Sequence, residues 1–164
     1  MTTSFKLTEL ETLWSITEMR TSQLTSLLRK HNATRKVFKG VYPCDRIPNS
    51  VPSPAALIAN TDPDGQPGRH WVAYYFTPST VYFFDSYGQP PWKMELQRPM
   101  ALRKYKRYFP RRLQGLSRVC GYYCLYFILA MVKGWGFQHF GRHLNRNDML
   151  VKRMVDRHFQ TTKV

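Results

Sequence analysis

The chain has 164 residues, of which 43% are hydrophobic and 15% aromatic, so it fits one domain with a sizeable core and excludes wholesale disorder. Lys and Arg number 25 against 10 Asp and Glu, a net charge of +15 that will draw the surface to polyanions, either nucleic acid or an anionic membrane. Three cysteines, Cys44, Cys120 and Cys124, are too few for a secreted disulfide framework, which points to a reducing compartment.

Residues 7 to 30 read as helical, since Leu7, Leu10, Trp14, Leu24, Leu27 and Leu28 recur at spacings near three and four. Thr21-Ser22 can cap a second helix, Gln23 to Lys30, which leaves residues 1 to 20 as an N-terminal helical extension of the single domain, 1 to 164. Phe38 to Pro54, with Gly40 and four prolines, reads as a surface loop. Ala55 to Ala59 is an apolar strand closed by a Pro/Gly-rich turn, 62 to 68. His70 to Phe76 and Thr80 to Phe84 are aromatic and β-branched, separated only by Thr77-Pro78-Ser79, and predict an antiparallel hairpin covered on both faces. A helix is expected over Met100 to Tyr108. The apolar run Val119 to Val132 then predicts a buried helix starting near Cys120 and ended by Gly134 and Gly136. At 14 residues that run is too short to cross a membrane, which takes about 20. A last amphipathic helix, Arg146 to His158, turns Met149, Val151, Met154 and Val155 to the body. The class is α+β. The first residues lack a signal peptide's apolar stretch, so a soluble intracellular protein without membrane contact, monomeric, is expected.

Four polar residues stand at element edges. Cys120 opens the apolar helix, where unsatisfied N–H groups and the positive end of the dipole favour thiolate, the form that attacks a carbonyl. Gly121 beside it removes bulk and would let a substrate backbone approach. His70 begins one strand of the hairpin and Asp85 ends the other, fifteen residues later, so a carboxylate can orient the imidazole. Gln114, six residues before Cys120, can bring an amide donor beside the sulfur and form an oxyanion hole with the Cys120 N–H.

His70-Trp71, Phe84 to Gly88, Gln114-Gly115 and Cys120-Gly121, in this order, resemble the adenain-like cysteine proteases, the adenovirus maturation protease and its relatives, which share a fold with the SUMO-specific proteases. The likeness extends over roughly residues 22 to 135. It implies a papain-like or adenain-like fold, a small mixed sheet flanked by helices with the nucleophile at the N-terminus of a central helix. It also implies Cys120 as nucleophile, His70 as base, Asp85 as triad acid, Gln114 as oxyanion donor and Trp71 as a wall of the substrate channel. Family members cut viral precursor proteins during virion maturation, so virion and host nucleus are the expected locations. The adenovirus enzyme takes an activating peptide by disulfide through a cysteine between its acid and its glutamine. Residues 86 to 113 here contain no cysteine, so an activator would bind non-covalently or through a different one.

Between Glu95 and Asp148 there is no acid and there are eleven cations. Arg103, Lys104, Lys106, Arg107, Arg111, Arg112 and Arg118 form the dense part, interleaved with Tyr105, Tyr108 and Phe109, and are the expected DNA contacts. DNA is also a cofactor of the adenovirus protease, which the resemblance extends to this chain. No zinc-ligand spacing or phosphate loop is present, and no metal or organic cofactor is expected; His139 and His143 read as surface residues. The function expected is a viral cysteine endopeptidase stimulated by DNA. The rivals are a deconjugating protease for a ubiquitin-like protein and a catalytically idle DNA-binding structural protein.

Overall fold

The computed structural model describes residues 19–66, 70–115, 118–143 and 147–159. Its elements in chain order are α1 (Thr21–Lys30), β1 (Phe38–Pro43), β2 (Ala55–Asn60), β3 (Trp71–Phe76), β4 (Thr80–Phe84), α2 (Met94–Gln97), β5 (Tyr105–Tyr108), α3 (Cys120–Val132), α4 (Gly136–His143) and α5 (Asp148–Phe159), with 3-10 turns at Cys44–Arg46 and Arg98–Met100. The five strands form one sheet in the order β1-β2-β3-β4-β5. The inner pairs β2–β3 and β3–β4 are antiparallel, and the outer strands β1 and β5 each lie parallel to their neighbour.

Side-chain alternation divides the core in two. Ala56, Ile58, Trp71, Ala73 and Phe84 face α3, whereas Ala55, Leu57, Val72, Tyr74, Phe76, Val81 and Phe83 face Leu96 and Met100 on the other side. Both faces are covered, which is why the hairpin strands are apolar at nearly every position. Helix α3 is buried all round from Cys120 to Ala130, with Phe127 stacked on Phe84 at 4.8 Å between ring centroids. It ends in a Schellman turn, where Gly134 takes φ 78°, its N–H bonds Met131 O and the Trp135 N–H bonds Ala130 O.

Two expectations fail at the edges of the sheet. Phe38 to Pro43 is a strand and not part of a loop: it pairs with Ala56–Asn60, and Pro43 falls at its last residue on an open edge, where no ladder donor is required. Residues 105 to 108 are likewise a strand and not a helix, with Thr80 opposite Tyr105 and Phe83 opposite Tyr108. The short helical turns fall earlier, over 94–100. Gly136 does not merely end α3; it starts α4. The N-terminal cap of α1 also differs, since the Gln23 side chain accepts the Arg20 N–H at 2.8 Å. The expected helical extension falls mostly on residues 1–18, outside the described residues. Among the described residues no helix is long and apolar enough to cross a membrane.

Candidate active site

The hairpin places the first two side chains. Ala73 pairs with Phe84, so the next residues bring Asp85 to the end of the sheet where His70 enters β3. There His70 Nε2 and Asp85 Oδ1 are 2.7 Å apart. The same oxygen accepts the Tyr87 N–H at 2.9 Å, an Asx-type turn that fixes the carboxylate as the chain leaves β4. Asp85 is fully buried, and its Oδ2 has no hydrogen-bond partner among the described residues. The Tyr87 ring lies 4.9 Å from the imidazole at 30°, forming a wall against it.

Helix α3 packs on β3 and brings Cys120 beside His70. Burial opposes charge on His70, but hydrogen bonds to Asp85 and to Cys120, with the negative charge each can carry, outweigh it and raise the imidazole from 6.5 to about 9. With Nε2 facing Asp85, Nδ1 is the ring nitrogen for the thiol. Cys124, one turn along α3, is wholly buried and burial pushes its thiol far up; burial also raises Cys44. All three cysteines are free and buried, so neither Cys44 nor Cys124 offers an exposed thiol for tethering a peptide.

Gln114 arrives by a loop. The N–H groups of Leu113 and Gln114 donate to Ser86 O at 2.8 and 3.0 Å, and the Ser86 hydroxyl donates to Gln114 Oε1. Because Ser86 takes the oxygen end of the amide, Nε2 is fixed as the donor end on its opposite side. At Gly88, with φ 73°, an added Cβ would stand 2.4 Å from the Arg111 carbonyl carbon, so only glycine lets the turn after Asp85 lie against the segment that carries Gln114. Ser86, Tyr87 and Gly88 enter the sequence reading only as part of the motif Phe84 to Gly88, with no role given to any of them.

Trp71 and Gly121 pack together. A Cβ on Gly121 would meet Met19 Cβ at 3.1 Å and Trp71 Cδ1 at 3.5 Å, so the space its hydrogen leaves is filled by the chain's own side chains. Trp71 Nε1 donates to Met19 O at 3.2 Å. The indole also lines a groove of about 590 Å³ together with Met19–Thr21, the end of β1, Asn60 and residues 62–66. The lining of this groove reaches Trp71 but not His70 or Cys120.

The basic residues divide into two kinds. Arg103 donates to Thr77 O, Val51 O and Ser53 Oγ at 2.8, 3.2 and 2.8 Å and lies over the Phe76 ring, which makes it a structural tie. Arg112 donates to Gln114 O and Gly115 O at 2.9 and 3.3 Å and covers the Tyr87 ring. Lys104, Lys106, Arg107, Arg111 and Arg118 are exposed. Phe109, interleaved with these cations in the sequence, is buried against Phe84 and Phe140. His139 is no free surface residue either, since its Nε2 hydrogen-bonds the Tyr126 hydroxyl.

The mixed α+β architecture, with a thiol at the start of the central helix and a His–Asp pair at one end of the sheet, shares its fold with a solved protease. The chain is similar to the crystal structure of the ASFV pS273R protease, with a TM-score of 0.54 at 20% identity over 77% of this chain and 61% of that one. It is similar also to the Se-Met form of that protease, with a TM-score of 0.50 at 21% identity, covering 63% of this chain and 43% of the other. This chain therefore spans less than two thirds of the length of either. No protein family and no curated protein matches the sequence.

Proposed function

We propose that the chain is a cysteine endopeptidase with Cys120 as nucleophile, His70 as general base and acid, Asp85 as the orienting acid and Gln114 as oxyanion donor. The observation that carries this reading is His70 Nε2 at 2.7 Å from the buried Asp85 carboxylate, with Asp85 and Cys120 both raising the basicity of the imidazole. In the reaction, His70 takes the Cys120 proton and the thiolate attacks the scissile carbonyl carbon. The carbonyl oxygen becomes an oxyanion between the Cys120 N–H, in the first turn of α3, and Gln114 Nε2. Imidazolium then protonates the leaving amine. Water attacks the thioester next, with His70 accepting its proton, and carboxylate product and thiol are released.

The groove that Trp71 lines suits an extended peptide segment bound beside the site. The exposed cations Lys104, Lys106, Arg107, Arg111 and Arg118 support polyanion binding through phosphates, independent of sequence. Together with the likeness to a viral protease, this charge supports processing of viral precursors on DNA, in the virion and the host nucleus, with an activating peptide, where one is used, bound non-covalently.

The test is hydrolysis of a fluorogenic peptide ending in Gly-Gly, of a precursor protein and of a SUMO fusion, each with and without DNA at low salt. Cleavage of the peptide or precursor that disappears in Cys120→Ala supports the reading. Preference for the SUMO fusion would reassign the substrate to deconjugation. No cleavage of any of the three, or full cleavage by Cys120→Ala, would overturn the enzyme.

A further inference from the structure

The loop that carries Gln114 has no regular secondary structure, yet every backbone polar group from Leu113 to Gly115 is hydrogen-bonded. The N–H groups of Leu113 and Gln114 go to Ser86 O, and the carbonyls of Gln114 and Gly115 accept from Arg112. The two remaining groups are held by side chains of other elements. Leu113 O accepts from the Tyr123 hydroxyl at 2.9 Å, and the Gly115 N–H donates to Asp148 Oδ1 at 2.9 Å. Tyr123 stands on α3, one turn after Cys120, and Asp148 opens α5.

These two anchors are themselves joined. The Tyr123 hydroxyl is also 2.9 Å from Asp148 Oδ1, so its single proton is shared between the carboxylate and Leu113 O. Both side chains are buried, Tyr123 completely and Asp148 to 6% exposure. The fit leaves no slack, because a Cβ on Gly115 would stand 3.0 Å from Asp148 Oδ2. Burial and the adjacent carboxylate both keep the phenol protonated, hence a donor.

We propose that Asp148 and Tyr123 are positioning residues for the oxyanion hole: they lock the backbone on either side of Gln114, so that its amide donor is in place before substrate arrives. The inference rests on the protease reading. A buried carboxylate is costly to keep in a domain with few acids, and its two contacts converge on the neighbours of one residue. Pre-organisation is what such a donor requires, since a displacement of about 1 Å can cost on the order of 10²-fold in rate.

The test compares four variants in the full chain, using the fluorogenic Gly-Gly peptide, a peptide aldehyde of the same sequence and iodoacetamide. Asp148→Ala should lower kcat roughly 10- to 100-fold with KM within about threefold, and aldehyde affinity should fall in step. Cys120 alkylation, which forms no oxyanion, should stay within about twofold. Asp148→Asn keeps one acceptor oxygen and should recover most of the loss. Tyr123→Phe should repeat the pattern of Asp148→Ala and carries the test if that variant does not fold. Asn147→Ala is the control: it removes the cap that accepts the Leu150 N–H at 3.0 Å, so it weakens α5 without touching the loop, and should lower the melting temperature while sparing kcat.

Full kcat in folded Asp148→Ala or Tyr123→Phe overturns the proposal. So does an alkylation rate that falls along with kcat, or a kcat loss in Asn147→Ala equal to theirs, because either would show a general structural role. A wild type that cleaves nothing sinks the protease reading instead, and is distinguishable from all of these.

Discussion

Replacing Asp85 by Asn isolates a single charge. Oδ1 holds both the His70 ring and the Tyr87 N–H, whereas Oδ2 has no partner among the described residues, so an Asn can keep Oδ1 in place and put its amide nitrogen where Oδ2 was. Geometry is retained and the negative charge is lost. In the wild type, His70 is raised from 6.5 to about 9, and a shift of that size corresponds to about 3 kcal/mol. The sign follows from linkage. The folded state holds the His70 proton more tightly than the unfolded chain, so this stability is fully present below about pH 6.5 and is lost as pH rises through about 9. For a chain of this length the full term is worth roughly 6–12 °C in melting temperature. Thermal melts of wild type and Asp85→Asn between pH 6 and 10 should therefore differ most at the acid end and converge toward the alkaline end. Proton NMR of the His70 ring, assigned with His70→Gln, should show its titration near 9 in the wild type and lower by about one pH unit or more in Asp85→Asn. A wild-type ring that titrates below 7, or a melting difference that stays constant across the range, refutes the reasoning.

Among the thiols, Cys120 should react with iodoacetamide well before Cys44 and Cys124, whose protons burial holds; equal labelling by mass spectrometry would argue against an activated thiolate. Gly88→Ala should destabilise by at least about 2 kcal/mol and lower cleavage, because the left-handed turn and the Arg111 backbone both exclude a Cβ; unchanged urea unfolding would contradict this. Reversing Lys104, Lys106, Arg107 and Arg111 to Glu should abolish DNA binding that, with four phosphate contacts, weakens roughly a hundredfold between 50 and 200 mM salt, and should spare hydrolysis of a short uncharged peptide; persistent binding in a filter assay would show the surface to lie elsewhere. Arg103→Ala should behave differently, costing about 1–3 kcal/mol of stability by losing its three acceptors, with DNA affinity little changed.

Local pattern determined the central part of this protein. The hairpin β3–β4 follows from two apolar runs and a three-residue turn, and that spacing alone brings His70 and Asp85 to one end of the sheet. The helix at Cys120 follows from a run apolar on all sides, which can only be buried, and its end from the glycine at 134. Tertiary structure decided the rest, because the partners involved are distant in sequence. The parallel edge strands β1 and β5 take their hydrogen bonds from β2 and β4, and in isolation one reads as a Gly/Pro loop and the other as a basic helical stretch. Nothing local distinguishes Arg103 from Lys104, although one is tied to residues some fifty positions away and the other is exposed. The orientation of the Gln114 amide depends on Ser86, and the hold on its neighbours on Tyr123 and Asp148. A side chain's type can be read from the chain, but the groups that restrain it are known only once the fold has brought them within hydrogen-bonding distance.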